Sequence, residues 1–202
     1  MPKDGTATRT RILDAAEELV IENGYAATSV DQVLQAASTS KGAFFHHFDS
    51  KLALAQALVD RYADADLVHL ETALAKTASV TDPVERVIAF LRYFEDEADE
   101  IMSAQSSCLY VAVLTERQLA LSGTNARIVA AIEAWRIAIA DLLRAAAAER
   151  PTARNVDVDA LANHVFVTFE GAFLLCRSME DGGHMRAQLT VLRQLVTALL
   201  AP

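Results

Sequence analysis

Cysteine is nearly missing: the 202 residues contain two, Cys108 and Cys176, each inside an apolar run. That excludes a disulfide framework, and both read as reduced core residues. Four prolines and seven glycines leave few breaks, and apolar residues recur at helical spacing instead of alternating, so strands are not expected. Positive charge is also scarce. With 18 Lys and Arg against 27 Asp and Glu, the net charge of −9 excludes a protein that coats nucleic acid nonspecifically or lies on an anionic membrane. Any contact with DNA must be local. No window approaches the ~20 uninterrupted apolar residues of a membrane span, and the opening MPKDGTATRTR has no apolar h-region, so a cytoplasmic protein is expected. Missing too are a nucleophile–base pair, a metal-ligand set and a phosphate loop, and the expectation is no enzyme, no cofactor and no metal.

What is present is aliphatic: 52% of the residues are hydrophobic, enough for a large core. The expected fold is all-α, with about nine helices. The first runs from Thr8 to Asn23 with Ile12, Ala16, Leu19 and Val20 on one stripe and Gly24 as its stop. Ser29, with Gln32 three residues on, fits a capping box for a short second helix, VDQVLQAA. Ser40 caps a third from Lys41 to about His46, and this spacing is that of a helix-turn-helix. Asp49 and Ser50 precede a long fourth helix to about Lys76. Pro83 opens a fifth reaching towards Met102. A sixth is expected over Ser107 to Leu121, a seventh from Gly123 to Arg150, an eighth after Asp157 that ends at the glycine pair 182 and 183, and a ninth to Leu200. Two domains follow: residues 1–50, which would hold the helix-turn-helix, and residues 51–202.

The residues TRTRILDAAEELVIENGYAATSVDQVLQAASTSKGAFFHHFDSKLAL, 8 to 54, resemble the N-terminal domain of the TetR (tetracycline-repressor) family of transcriptional regulators. Asn23-Gly24-Tyr25, the Thr28-Ser29 cap and SKGAFFHHFDSK carry the likeness. It implies a homodimer binding double-stranded operator DNA, each helix-turn-helix entering a major groove, while C-terminal helices hold a small-molecule effector and the dimer interface. The fourth helix would carry the shift between them. The implied DNA-contacting residues are Ser29, Thr39, Ser40, Lys41, Gly42, Phe45, His46, His47 and Lys51. Lys41 sits where a flexible cation reaches guanine acceptors or phosphate, and Gly42, lacking a Cβ, permits close approach. Phe44 and Phe48 pack inward. Two departures from the family pattern stand out: Phe45 replaces the usual tyrosine, and Ser38 replaces a glycine common in the turn. Over residues 1–51 five positive charges face seven negative ones, so the salt dependence of DNA binding is expected to be shallow, with a slope no steeper than about −8.

Other groupings read less sharply. His46 and His47 point about 100° apart on a helix, unlike metal ligands at i,i+4. In FEDEADEI, residues 94 to 101, Phe94, Ala98 and Ile101 share a face, leaving the acids to solvent. Glu116 and Arg117 interrupt an apolar helix, as ligand contacts or as an ion pair. The candidate effector pocket comprises Phe90, Phe94, Tyr110, Leu114, Glu116, Arg117, Trp135, Phe166, Phe169 and Phe173. The eighth helix, apolar nearly all round, must be buried on more than one side. Paired with the ninth across a two-fold axis it offers Val165, Ala172, Cys176, Leu192, Leu195, Val196 and Leu199 as the dimer interface. The expected protein is a repressor released from a near-palindromic operator by a largely apolar effector. The alternative is a helical interaction module that has lost operator binding.

Overall fold

The structure is a computed structural model describing residues 5–104, 109–117, 119, 122–149 and 156–201. Cys108, the ends of the expected sixth helix and Arg150 lie outside the described residues. Among those described there are ten helices and no strand: α1 Gly5–Asn23, α2 Val30–Ala36, α3 Lys41–His47, α4 Lys51–Lys76, α5 Pro83–Asp96, α6 Ala98–Ala104, α7 Leu109–Leu114, α8 Asn125–Glu149, α9 Val158–Met179 and α10 Gly183–Leu200. The fold is all-α. Two compact units are present, one of Met1–Ala65 with Cys108–Val129 and one of Asp66–Ser107 with Ala130–Pro202.

Local chemistry sets the starts of five helices. Ser29 accepts from the Gln32 amide at 3.2 Å while the Gln32 side chain accepts from the Ser29 amide at 2.7 Å, a complete capping box. Ser40 accepts from the Ala43 amide at 3.2 Å and Ser50 from the Ala53 amide at 3.0 Å. Asp82 receives the Val84 and Glu85 amides at 2.8 and 3.0 Å, with Pro83 in the first turn, and Asp157 receives the Ala160 amide at 3.0 Å. Each such cap stabilises its helix by about 1 kcal/mol.

The first unit is built on one stripe of α1, where Ile12, Leu13, Ala16 and Val20 are buried with Val33 of α2 and Phe44 of α3. Phe44 is fully buried and its ring lies 5.7 Å from that of Phe48. Truncating such a phenylalanine to alanine removes about 3–5 kcal/mol. Arg61 on α4 reaches back to α1, to Asp14 at 2.6 Å and Glu17 at 2.5 Å. Both ion pairs lie inside the first unit, which extends to Ala65.

In the second unit α10 packs on α5, α6 and α9, burying Met185, Leu189, Leu192 and Val196. Glu95 accepts from Arg193 at 2.5 Å and from the Thr190 hydroxyl at 2.7 Å, and Arg186 pairs with Asp99 at 2.9 Å. Glu95 is therefore not one of the solvent-facing acids expected of that run. Its carboxyl is held below the ordinary glutamate range, first by the Arg193 hydrogen bond, against a smaller opposing effect of burial.

Three expectations about helix ends are corrected. The fifth helix divides at Glu97, whose amide bonds to the Tyr93 carbonyl as a helix cap at ψ 0°. The sixth stops at Leu114, with Thr115 in a turn. The eighth ends at Glu180, which takes the left-handed φ of +54° two residues before the glycine pair, so the Asp181 amide reaches the Cys176 carbonyl at 3.1 Å. By length and composition α9 could cross a membrane, but Ala162, Val165, Ala172, Phe173 and Cys176 bury one of its stripes in the unit's core.

Candidate nucleic-acid interface

The turn between α2 and α3 is fixed by two hydrogen bonds from its own backbone. The Ser38 amide meets the Gln35 carbonyl at 3.1 Å and the Thr39 amide meets the Leu34 carbonyl at 3.0 Å, the paired pattern of a Schellman motif. That motif needs a left-handed residue. Ser38 supplies it at φ +47°, where glycine would sit without a Cβ penalty and serine costs about 1 kcal/mol.

Helix α3 then presents two faces. Phe44 and Phe48 are buried at 0% and 3% exposure, whereas Lys41, Gly42, Phe45 and His46 are exposed and Thr39 and His47 half-exposed. A Cβ placed on Gly42 would meet nothing nearer than the Ser40 Oγ at 4.0 Å, so the protein leaves the space beside it open. Phe45 is 46% exposed, an apolar ring on a face otherwise lined with polar groups. The Ser29 and Ser40 hydroxyls serve their caps. Among the described residues no group of three or more His, Cys, Asp and Glu side chains forms a metal cluster.

Lys51, implied as a DNA contact, sits against the loop between α1 and α2. It is half-buried, its Nζ sits 4.2 Å from the centre of the Tyr25 ring, and it donates to the Ala26 carbonyl at 3.4 Å. Burial lowers its pKa, partly offset by the Glu116 carboxylate; burial first and Glu116 second raise that of Tyr25. Glu116 follows α7 and accepts the Ala26 amide at 3.1 Å. Gly24, at φ +82°, completes this turn. Glu116 and Arg117, expected inside a buried helix as ligand contacts or as an ion pair, follow the end of α7 at Leu114, and Glu116 holds the loop between α1 and α2. Nothing in the sequence near Glu116 signals that partner.

The other expected pocket residues divide between the units. Tyr110, Leu114, Glu116 and Arg117 belong to the first, where the Tyr110 ring stacks edge-on to Tyr62 at 4.9 Å and Leu114 and Arg117 are exposed. Phe90, Phe94, Trp135 and Phe169 form one aromatic cluster in the second, with Phe94 5.3 Å from both Trp135 and Phe169. Phe166 is half-buried and Phe173 buried.

The residues expected at the dimer interface differ in exposure. Val165, Ala172, Cys176, Leu192 and Val196 are buried within the protomer and Leu199 is half-buried; of the seven only Leu195 is exposed. The exposed apolar face lies on the other side of α9 and α10, at Val167, Leu174, Val191 and Leu195, with exposures of 60%, 64%, 47% and 52%.

An outward-facing short helix braced by a capped partner helix is the geometry of a helix-turn-helix DNA-binding transcriptional regulator. Residues 12–58 match the family of bacterial regulatory proteins, tetR family, and residues 83–192 match the tetracyclin repressor-like C-terminal domain. The chain belongs to the TetR family, whose members are regulators and not enzymes. It is 28% identical over 179 residues to the transcriptional regulator AcuR of Cereibacter sphaeroides, covering 85% of this chain and 77% of that one. It is 30% identical over 163 residues to the HTH-type transcriptional activator FasR of Mycolicibacterium smegmatis, covering 80% and 70%. A regulatory protein TetR from Rhodobacter sphaeroides superposes with a TM-score of 0.75 at 26% identity, over 92% of this chain and 96% of that one.

Proposed function

We propose that the protein is a cytoplasmic homodimeric repressor that leaves a near-palindromic operator when a small, largely apolar effector binds its C-terminal helices. The outward face of α3 carries the DNA half of this reading: Thr39, Lys41, Gly42 and His46 are offered to a groove while Phe44 and Phe48 anchor the helix from behind. Two copies would set their α3 helices into half-sites one helical turn, or a multiple of it, apart.

Pairing is supported by the exposed apolar face of α9 and α10. A groove of about 390 Å³ runs along it between Val167, Gly171, Val191 and Leu195, and a Cβ on Gly171 would meet nothing within 4 Å in its own chain. A two-fold axis through this face makes a four-helix interface. Release follows if the effector binds better to a conformation in which the α3 helices no longer match the half-sites. The relative FasR is named an activator, and a promoter-reporter measurement separates activation from repression.

The test is fluorescence anisotropy of the protein against duplexes tiling the DNA upstream of its own coding region, at about 0.15 M salt with nonspecific competitor. Saturable binding of one dimer, or a pair, to a near-palindromic tile is expected. Failure on every tile, and on those from neighbouring divergent promoters, overturns the reading. It would establish instead an interaction module without an operator, the alternative that exposed Phe45 favours.

A further inference from the structure

Four arginines of the second unit hold an acidic partner: Arg136 with Glu133, Arg144 with Asp141 and Asp159, Arg186 with Asp99 and Arg193 with Glu95. Arg86, in the first turns of α5, holds none among the described residues. Its Nε is buried without a hydrogen-bond partner among those residues. The side chain lines a groove of about 500 Å³ walled by Leu74 of α4, Val80 of the following loop, and Ile137 and Leu142 of α8. That volume is typical of a small-molecule site.

The lining chemistry restricts the occupant. A guanidinium is always charged and donates only, in a fork that matches a carboxylate, and a buried donor left unpaired is a penalty that a ligand's acceptor removes. The apolar walls call for an aliphatic chain. Asp141 lines the groove as well, and Arg144 binds its carboxylate at 2.9 Å; a second negative charge there disfavours a dianionic phosphate over a monoanion. We propose that this groove, and not the aromatic cluster, takes the effector, and that the effector is a small aliphatic carboxylate whose head group lies on Arg86. The proposal rests on the effector-released reading above.

Octanoate and octan-1-ol titrated calorimetrically into the full-length protein test it, with operator anisotropy measured in parallel. Octanoate is expected to bind at least about tenfold more tightly than the alcohol, and to weaken operator binding. Arg86→Gln should erase the preference. Ile137→Glu, on a wall that is 57% exposed and so without consequence for folding, should weaken octanoate about tenfold. Equal binding of the two probes, a preference that survives Arg86→Gln, or no octanoate binding at millimolar concentration overturns the site. Binding through Arg86 with operator affinity unchanged overturns the effector assignment. A native protein that binds octanoate through Arg86 but no operator overturns the regulator reading and keeps the site.

Discussion

The Glu116 carboxylate accepts the backbone amide of Ala26 at 3.1 Å, across 90 positions of sequence. The bond fastens the loop between α1 and α2, and with it the start of the helix that braces α3. Removing the acceptor in Glu116→Ala should lower stability by about 1 kcal/mol. Glu116→Gln, whose amide oxygen still accepts, should recover most of that loss. Urea melts of the three proteins measure the difference.

Ser38 closes the Schellman turn at φ +47°. Glycine adopts that conformation without a Cβ clash, so Ser38→Gly should stabilise the protein by up to about 1 kcal/mol, less what the more flexible unfolded chain takes back. A fall in melting temperature would contradict the strain assigned to Ser38.

Gly42 separates folding from DNA binding. The space beside it is open and alanine is the better helix former by roughly 1 kcal/mol, so Gly42→Ala should melt at or above the parent temperature. Its operator affinity should drop at least about tenfold, because the added methyl stands between helix and groove. Lys41→Ala should likewise stay folded and bind weakly; anisotropy with both variants decides.

Leu174 is 64% exposed on the outer face of α9. Leu174→Glu should leave the protomer folded while shifting the protein from dimer to monomer in sedimentation velocity, since it sets a charge against an apolar partner face. The buried Val165→Ala, by contrast, should cost about 1–3 kcal/mol of stability with the dimer retained.

The Arg193 hydrogen bond lowers the pKa of Glu95. A carboxyl whose pKa is lower in the folded than in the unfolded chain contributes stability above the unfolded value, and that contribution is lost as pH falls through the folded one. Melting temperature should therefore decline below about pH 4.5. In Glu95→Gln the decline should be shallower, with a lower plateau at neutral pH, where the neutral amide no longer meets Arg193 as a charge.

Sequence alone determined what depends on neighbours a few residues apart. Ser29, Ser40 and Asp157 read as caps because a cap is a contact between residues three apart, and the pattern of α3, with Phe44 inside and Lys41 and His46 outside, is likewise local. The break at Glu97 was not legible, since neither proline nor glycine marks it. Which side of α9 faces outward was decided only by the tertiary structure: both sides are apolar, so periodicity cannot tell Val165 and Cys176, buried in the protomer's own core, from Val167 and Leu174, left exposed. The same holds for charges. Glu116 takes its partner, and Arg86 is left without one among the described residues, according to which backbone and side-chain groups folding brings alongside from distant parts of the chain, and no spacing in the sequence encodes that.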